Sequence, residues 1–156
     1  MKSSIKSGLS FGLTSGVITT LGLIIGLYSS TNSKLAIIGG IFVIAIADAL
    51  SDATGMHLAT ESKTKDKSQI WSSTASTFFA KLIIALTFAV PILTLEIQTA
   101  IIASIIWGFL LITALSFYIA KSHKSRPLEA ISEHVLIMIA VIIVSFYVGK
   151  FVNIYF

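Results

Sequence analysis

Cysteine is absent from the 156-residue chain, which excludes disulfides, thiolate zinc sites and thiol nucleophiles and leaves the redox compartment open. Charge is scarce as well. Only 12% of the residues are Asp, Glu, Lys or Arg, against about 25% in a soluble globular domain. Proline occurs twice, at Pro91 and Pro127, so helices can run long between these points. Aromatic and basic residues are not interleaved, so nucleic acid is not an expected partner, and the net charge of +4 matters through its placement. What the chain has in abundance is apolar: 55% of its residues, with a mean hydropathy of +0.94. This is the composition of an integral membrane protein. The basic start MKSSIKSG leads into an apolar run of spanning length without a small-residue cleavage pattern. That run is expected to stay as a first helix.

Five apolar runs, at about residues 9–28, 35–60, 75–95, 98–118 and 131–152, are each long enough for the ~30 Å bilayer core. The expected fold is therefore all-α: one transmembrane domain of five helices over residues 1–156. Ser29 to Lys34 reads as a tight polar turn and Glu61 to Ser76 as a loop, with Trp71 as an interfacial anchor. Lys121 to Leu128 reads as a basic loop closed by Pro127. Pro91 is expected to kink or end the third span. With five spans, Lys2, Lys6, Lys63, Lys65, Lys67, Lys121, Lys124 and Arg126 fall on one side, and Lys34 and Lys150 on the other. The positive-inside rule then makes the N-terminus cytoplasmic. The expected location is the cell membrane if the source is prokaryotic, otherwise an organelle membrane.

The chemistry concentrates between Gly39 and Ser62, GGIFVIAIADALSDATGMHLATES, where Asp48, Asp52 and Met56 recur at four-residue steps. Such steps stack side chains on one helix face. A carboxylate near a bilayer centre costs about 2.5–3.5 kcal/mol on insertion scales, so two of them one turn apart point to cation binding or proton movement, or to pairing with a basic residue. Lys81 is the candidate partner, unless it snorkels to the headgroups. Thr14, Ser15, Thr19 and Thr20 can bond backbone carbonyls or serve as oxygen ligands, Thr14 and Ser15 being the auxiliary candidates. Gly8, Gly12 and Gly16, followed by Gly22 and Gly26, make a flat strip for a neighbouring helix. That neighbour is either in the same chain or in a second copy. Glu133 and His134 read as a solvated first helical turn or as part of an ion entrance.

Three patches resemble the vacuolar iron transporter family, which exchanges Fe(II) or Mn(II) for protons: Gly12 to Leu27, GLTSGVITTLGLIIGL; Ala49 to Thr60, ALSDATGMHLAT; and Tyr147 to Gly149 near the end of the last span. The resemblance covers most of the chain and implies the same five spans and orientation. It differs at the metal site: Ser15 stands where the family has Asp, Asp52 where it has Met, and Met56 where it has Glu. The family's glutamate-rich domain between the second and third spans has no counterpart here.

Together these features lead to the expectation of a homodimeric, proton-coupled carrier of a divalent metal ion, Fe(II) or Mn(II). Its metal ligands would be Asp48, Asp52 and Met56, with membrane lipid around it and no tightly bound cofactor. Two carboxylates so close in low dielectric cannot both ionise cheaply, so an arriving cation would displace a proton. The alternative is a non-transporting scaffold or subunit with a structural Asp–Lys pair. An enzyme is not expected, because acids on adjacent turns face one way and leave no room for a bond between them.

Overall fold

The computed structural model describes residues 3–122 and 124–156; Lys2, counted above with the basic residues, lies outside them. The described residues form helices and short connections, without strands: α1 Ser3–Thr31, α2 Lys34–Glu61, α3 Lys67–Thr87, α4 Ala89–Thr94, α5 Ile97–Ser122 and α6 Pro127–Tyr155. Five segments are long and apolar enough to cross a membrane, α3 and α4 together forming one of them. The chain is thus all-helical and built as a multi-pass membrane protein.

The third span starts earlier than its hydropathy predicts. Lys67 to Ser76 is not loop but the opening turns of α3, and only a few residues after Glu61 stay outside helices. Asp66 caps the helix by accepting from the Ser68 backbone N–H at 2.9 Å. The hydroxyls that make this stretch look like a loop bond back into the same helix: Ser73 and Thr74 to Ile70 O, Ser76 and Thr77 to Ser73 O. Pro91 ends α3 as expected of a residue without an N–H: α3 stops at Thr87 and α4 resumes at Ala89. Trp107 of α5 donates to Thr87 Oγ1 at 3.0 Å beside this break. The last helix also starts earlier than expected, with Pro127 in its first turn.

α1 is the central helix, touching α2, α3, α5 and α6, and its glycines decide how closely two of these approach. A Cβ at Gly12 would sit 2.5 Å from Thr77 O of α3, one at Gly16 would sit 3.4 Å from the Lys81 Cα, and one at Gly8 would collide with Ser76 and Ser73 O. Gly22 and Gly26 serve α6 in the same way, against Val141 and Ser145. The glycine strip is therefore filled by helices of its own chain. Val17, Leu21, Ile24, Ile37, Ile41 and Phe88 are fully buried where these helices meet.

Gly12→Ala is expected to lower stability by about 1–3 kcal/mol, because the Thr77 carbonyl is backbone and cannot swing aside. Gly39→Ala, where nothing lies within 4 Å, should be neutral or gain up to ~1 kcal/mol of helix propensity. Thermal unfolding in detergent micelles compares the two.

Alternating helix directions gather the basic residues at one end of the bundle. Ser4 and Ser72 meet there at 3.0 Å, and Thr60 and Ser73 at 2.8 Å. At the opposite end Lys34 Nζ donates to Leu95 O at 2.9 Å, and Asn153 donates to Ser30 O at 2.7 Å.

Candidate functional site

α2 packs through small residues: Ala45, Ala49 and Ala53 form a buried stripe. Asp48 and Asp52, each one residue before a member of that stripe, sit at the same seam. On the facing helices, Gly16 lets the α3 backbone come against α1 at Lys81. Three helices thus converge on one group of side chains.

Lys81 lies at its centre, 1% exposed, with Nζ 2.5 Å from Asp48 Oδ2 and 2.5 Å from Asp52 Oδ2. Its third contact is Ser15 Oγ at 3.0 Å. Two of its three ammonium protons are hydrogen-bonded, to Ser15 Oγ and Asp52 Oδ2, and Asp48 is held as an ion pair. Ser15 in turn donates to Asp52 Oδ2 at 2.7 Å. Thr19 Oγ1 lies 2.9 Å from Ser15 O and 3.0 Å from Asp48 Oδ2, its one proton shared between them.

Lys81 does not snorkel. Because α3 begins at Lys67, Lys81 is 14 residues into the helix, about 21 Å from its start at 1.5 Å per residue. That is too deep for a lysine side chain to reach the surface.

Two carboxylates and one ammonium leave a net charge of −1 when all three are ionised. All the hydrogen bonds fall on the Oδ2 atoms. Neither Oδ1 has a hydrogen-bond partner among the described residues, and the two side chains keep 29% and 21% exposure. The cluster therefore presents two unengaged carboxylate oxygens, an edge that a cation can approach.

The other sequence candidates are distributed as follows. Thr14, one residue before Ser15 and so about 100° around the helix, takes no part in the network. Thr19, a hydroxyl expected either to bond a backbone carbonyl or to serve as an oxygen ligand, bonds Ser15 O and also joins the network through Asp48. Met56 lines a polar cavity at the basic end together with Ser7 and Thr60. Gly8, Gly12 and Gly16 form a contact face for α3, and through Gly16 they position Lys81. Glu133 is exposed. His134 Nδ1 hydrogen-bonds with Ser116 Oγ at 2.9 Å and ties α6 to α5. His57 Nδ1 does the same with Thr74 Oγ1 at 3.0 Å, and its ring packs edge-on to Trp71. Among the described residues no three His, Cys, Asp or Glu side chains form a metal-ligand group. A metal held here would take two carboxylates and complete its shell from hydroxyls, water or a thioether.

The fold and the site together define a polytopic helical bundle with an acid–lysine–acid cluster inside it. Comparison with protein-family models, with curated proteins and with solved structures finds no match to the chain.

Proposed function

We propose that the chain is a carrier that exchanges a divalent cation of the Fe(II) or Mn(II) type for protons across a membrane. The observation that supports this reading is the open Oδ1 edge of two carboxylates sharing a single lysine. In this reading Lys81 is the resident cation of the empty site. In the proposed cycle the ammonium and one carboxyl proton occupy the empty site of Asp48 and Asp52; an arriving divalent ion displaces both, the proton leaving in exchange for the ion, and both return when the ion departs. Ser15 and Thr19 hydroxyls hold the carboxylates in place meanwhile. Met56, one turn from Asp52 on the same helix, offers a soft sulfur. Sulfur beside carboxylates suits Fe(II) or Mn(II) better than Ca(II) or Mg(II), which take oxygen ligands.

The homodimer in this proposal does not form through the α1 glycines, which are filled by α3 and α6. Ala47, Ser51, Gly55 and Ala59, all exposed and four residues apart on α2, give a second flat strip beside Asp48 and Asp52. A partner docked there would cover the carboxylates from lipid. The basic end of the bundle faces the cytoplasm in this proposal, following the distribution of lysines.

The second reading is a non-transporting scaffold in which the cluster is a structural ion pair. The burial of Lys81 against both acids and the Ser15 hydroxyl favours it. Mn(II) uptake into proteoliposomes under an imposed pH gradient separates the two. The carrier is expected to accumulate Mn(II) when the lumen is acidic and to stop when the gradient is collapsed. Uptake equal to that of protein-free liposomes at every gradient would leave only the scaffold.

A further inference from the structure

At the basic end α1, α2, α3 and the connection after α2 line a half-open cavity of about 230 Å³, among them Ser4, Ser7, Met56, Thr60, Lys63 and Gln69. It has room for several waters, each of which takes about 30 Å³ in the liquid. Its walls are rich in hydroxyl and amide groups. The larger groove between α2 and α3, lined by Leu50, Trp71, Phe78 and Phe79, is nearly all apolar.

Helical register connects this cavity to the ion cluster. On α1, Ser7, Phe11 and Ser15 follow at four-residue steps, and on α2 so do Thr60, Met56 and Asp52. On each helix one apolar residue occupies the turn between the two: Met56, which lines the inner end of the cavity, and Phe11, 43% exposed at its edge. Toward the opposite end the sequence of side chains is different. Beyond Asp48 the same steps reach Ile44 and Gly40, and beyond Thr19 Leu23 and Leu27, which pack over Gly40 beside the buried apolar core of Ile37, Ile41 and Phe88. Inside the bundle the polar route to the acids runs from the basic end, and the 29% and 21% of Asp48 and Asp52 that stay exposed are left for the partner proposed above to cover.

We infer that the cavity is an aqueous antechamber to the ion cluster, and that Phe11 and Met56 form an apolar neck between the two. This rests on the reading of Asp48 and Asp52 as acceptors of a cation from water. A hydrated ion pausing in the antechamber meets neutral oxygens and must shed water to pass the neck, which is where the Met56 thioether becomes a ligand that discriminates in favour of transition metals. Lys63 at the rim sets an electrostatic threshold for cations, weakened by salt.

The absence of cysteine makes the test direct. Single substitutions Thr60→Cys, in the antechamber, and Ser15→Cys, behind the neck, are exposed to a charged, membrane-impermeant thiol reagent in sealed vesicles of either orientation, and labelling is read by mass. From the basic side Thr60→Cys is expected to react readily and Ser15→Cys on the order of tenfold more slowly. Adding Phe11→Ala or Met56→Ala should accelerate Ser15→Cys about tenfold and leave Thr60→Cys unchanged. Neither position should react from the opposite side. Thr19→Cys, one turn further on the same face, substitutes for Ser15→Cys if that variant does not fold. A rate behind the neck that ignores both alanine substitutions, or labelling from the opposite side, would overturn the inference. Labelling needs no transport. Expected labelling in a protein without Mn(II) flux therefore keeps the neck and removes the carrier, whereas flux with unaltered labelling rates removes the neck alone.

Discussion

Lys81→Met is expected to cost about 3–5 kcal/mol of stability, the range for removing one partner of a buried ion pair. The reason lies in what stays behind. Met has a similar length and an apolar tip, so the packing against Gly16 survives, but Asp48 and Asp52 then face each other without a cation, and Ser15 loses the donor at 3.0 Å. A second substitution, Asp52→Asn, removes one of the orphaned charges and should restore a substantial part of the loss. The resulting coupling between positions 81 and 52 should exceed ~1 kcal/mol, well above what independent sites show. Arg126 and Glu129 provide the control. They also pair, at 2.8 Å, but at 82% and 61% exposure, where an ion pair contributes about 0–1 kcal/mol. Arg126→Met should therefore leave the melting temperature in detergent nearly unchanged. A Lys81→Met protein as stable as the parent would contradict a buried ion pair at this site.

Asp52→Asn is expected to lower Mn(II) flux on the order of a hundredfold, with Asp48→Asn similar. Each loses a charged ligand worth roughly 1.5–3 kcal/mol, and every 1.4 kcal/mol is a factor of about ten. These variants should fold better than they carry, because Asn keeps an acceptor for Ser15 or Thr19 and Lys81 retains one carboxylate. Flux and stability thus move apart in the aspartate variants. In Lys81→Met they should diverge in the other direction: the protein is less stable, yet the remaining folded fraction binds Mn(II) more tightly, since its internal competitor is gone. A scaffold predicts no flux in any of them and a loss of stability in all three.

Much of this was legible in the chain, for reasons that particular residues show. Hydropathy located the five spans because a bilayer selects for it, and the four-residue step of Asp48 and Asp52 put both acids on one face before any fold was known. The start of α3 was not legible. Ser72, Ser73, Thr74 and Ser76 have the composition of a loop, and only the carbonyls they bond within α3, together with Gly8 of α1 against Ser73 and Ser76, make them helical. That misplaced boundary carried a second error with it. With the span begun near residue 75 Lys81 looked close enough to the surface to snorkel, whereas a start at Lys67 buries it. Thr19 was recognisable only through its register with Asp48 across two helices, which a single chain does not encode locally. The glycine strip was readable as a contact face, but whether its occupant is the same chain or another depends on packing that Gly12 and Gly16 themselves do not specify.

The most direct measurement is a structure of the protein soaked in Mn(II), with anomalous scattering recorded to locate the ion. The account predicts a peak between the Asp48 and Asp52 carboxylates, with Lys81 Nζ withdrawn from the 2.5 Å contacts it makes in the empty site. An unchanged Lys81, still bonded to both acids and to Ser15 at saturating Mn(II), with no anomalous density beside them, would contradict it.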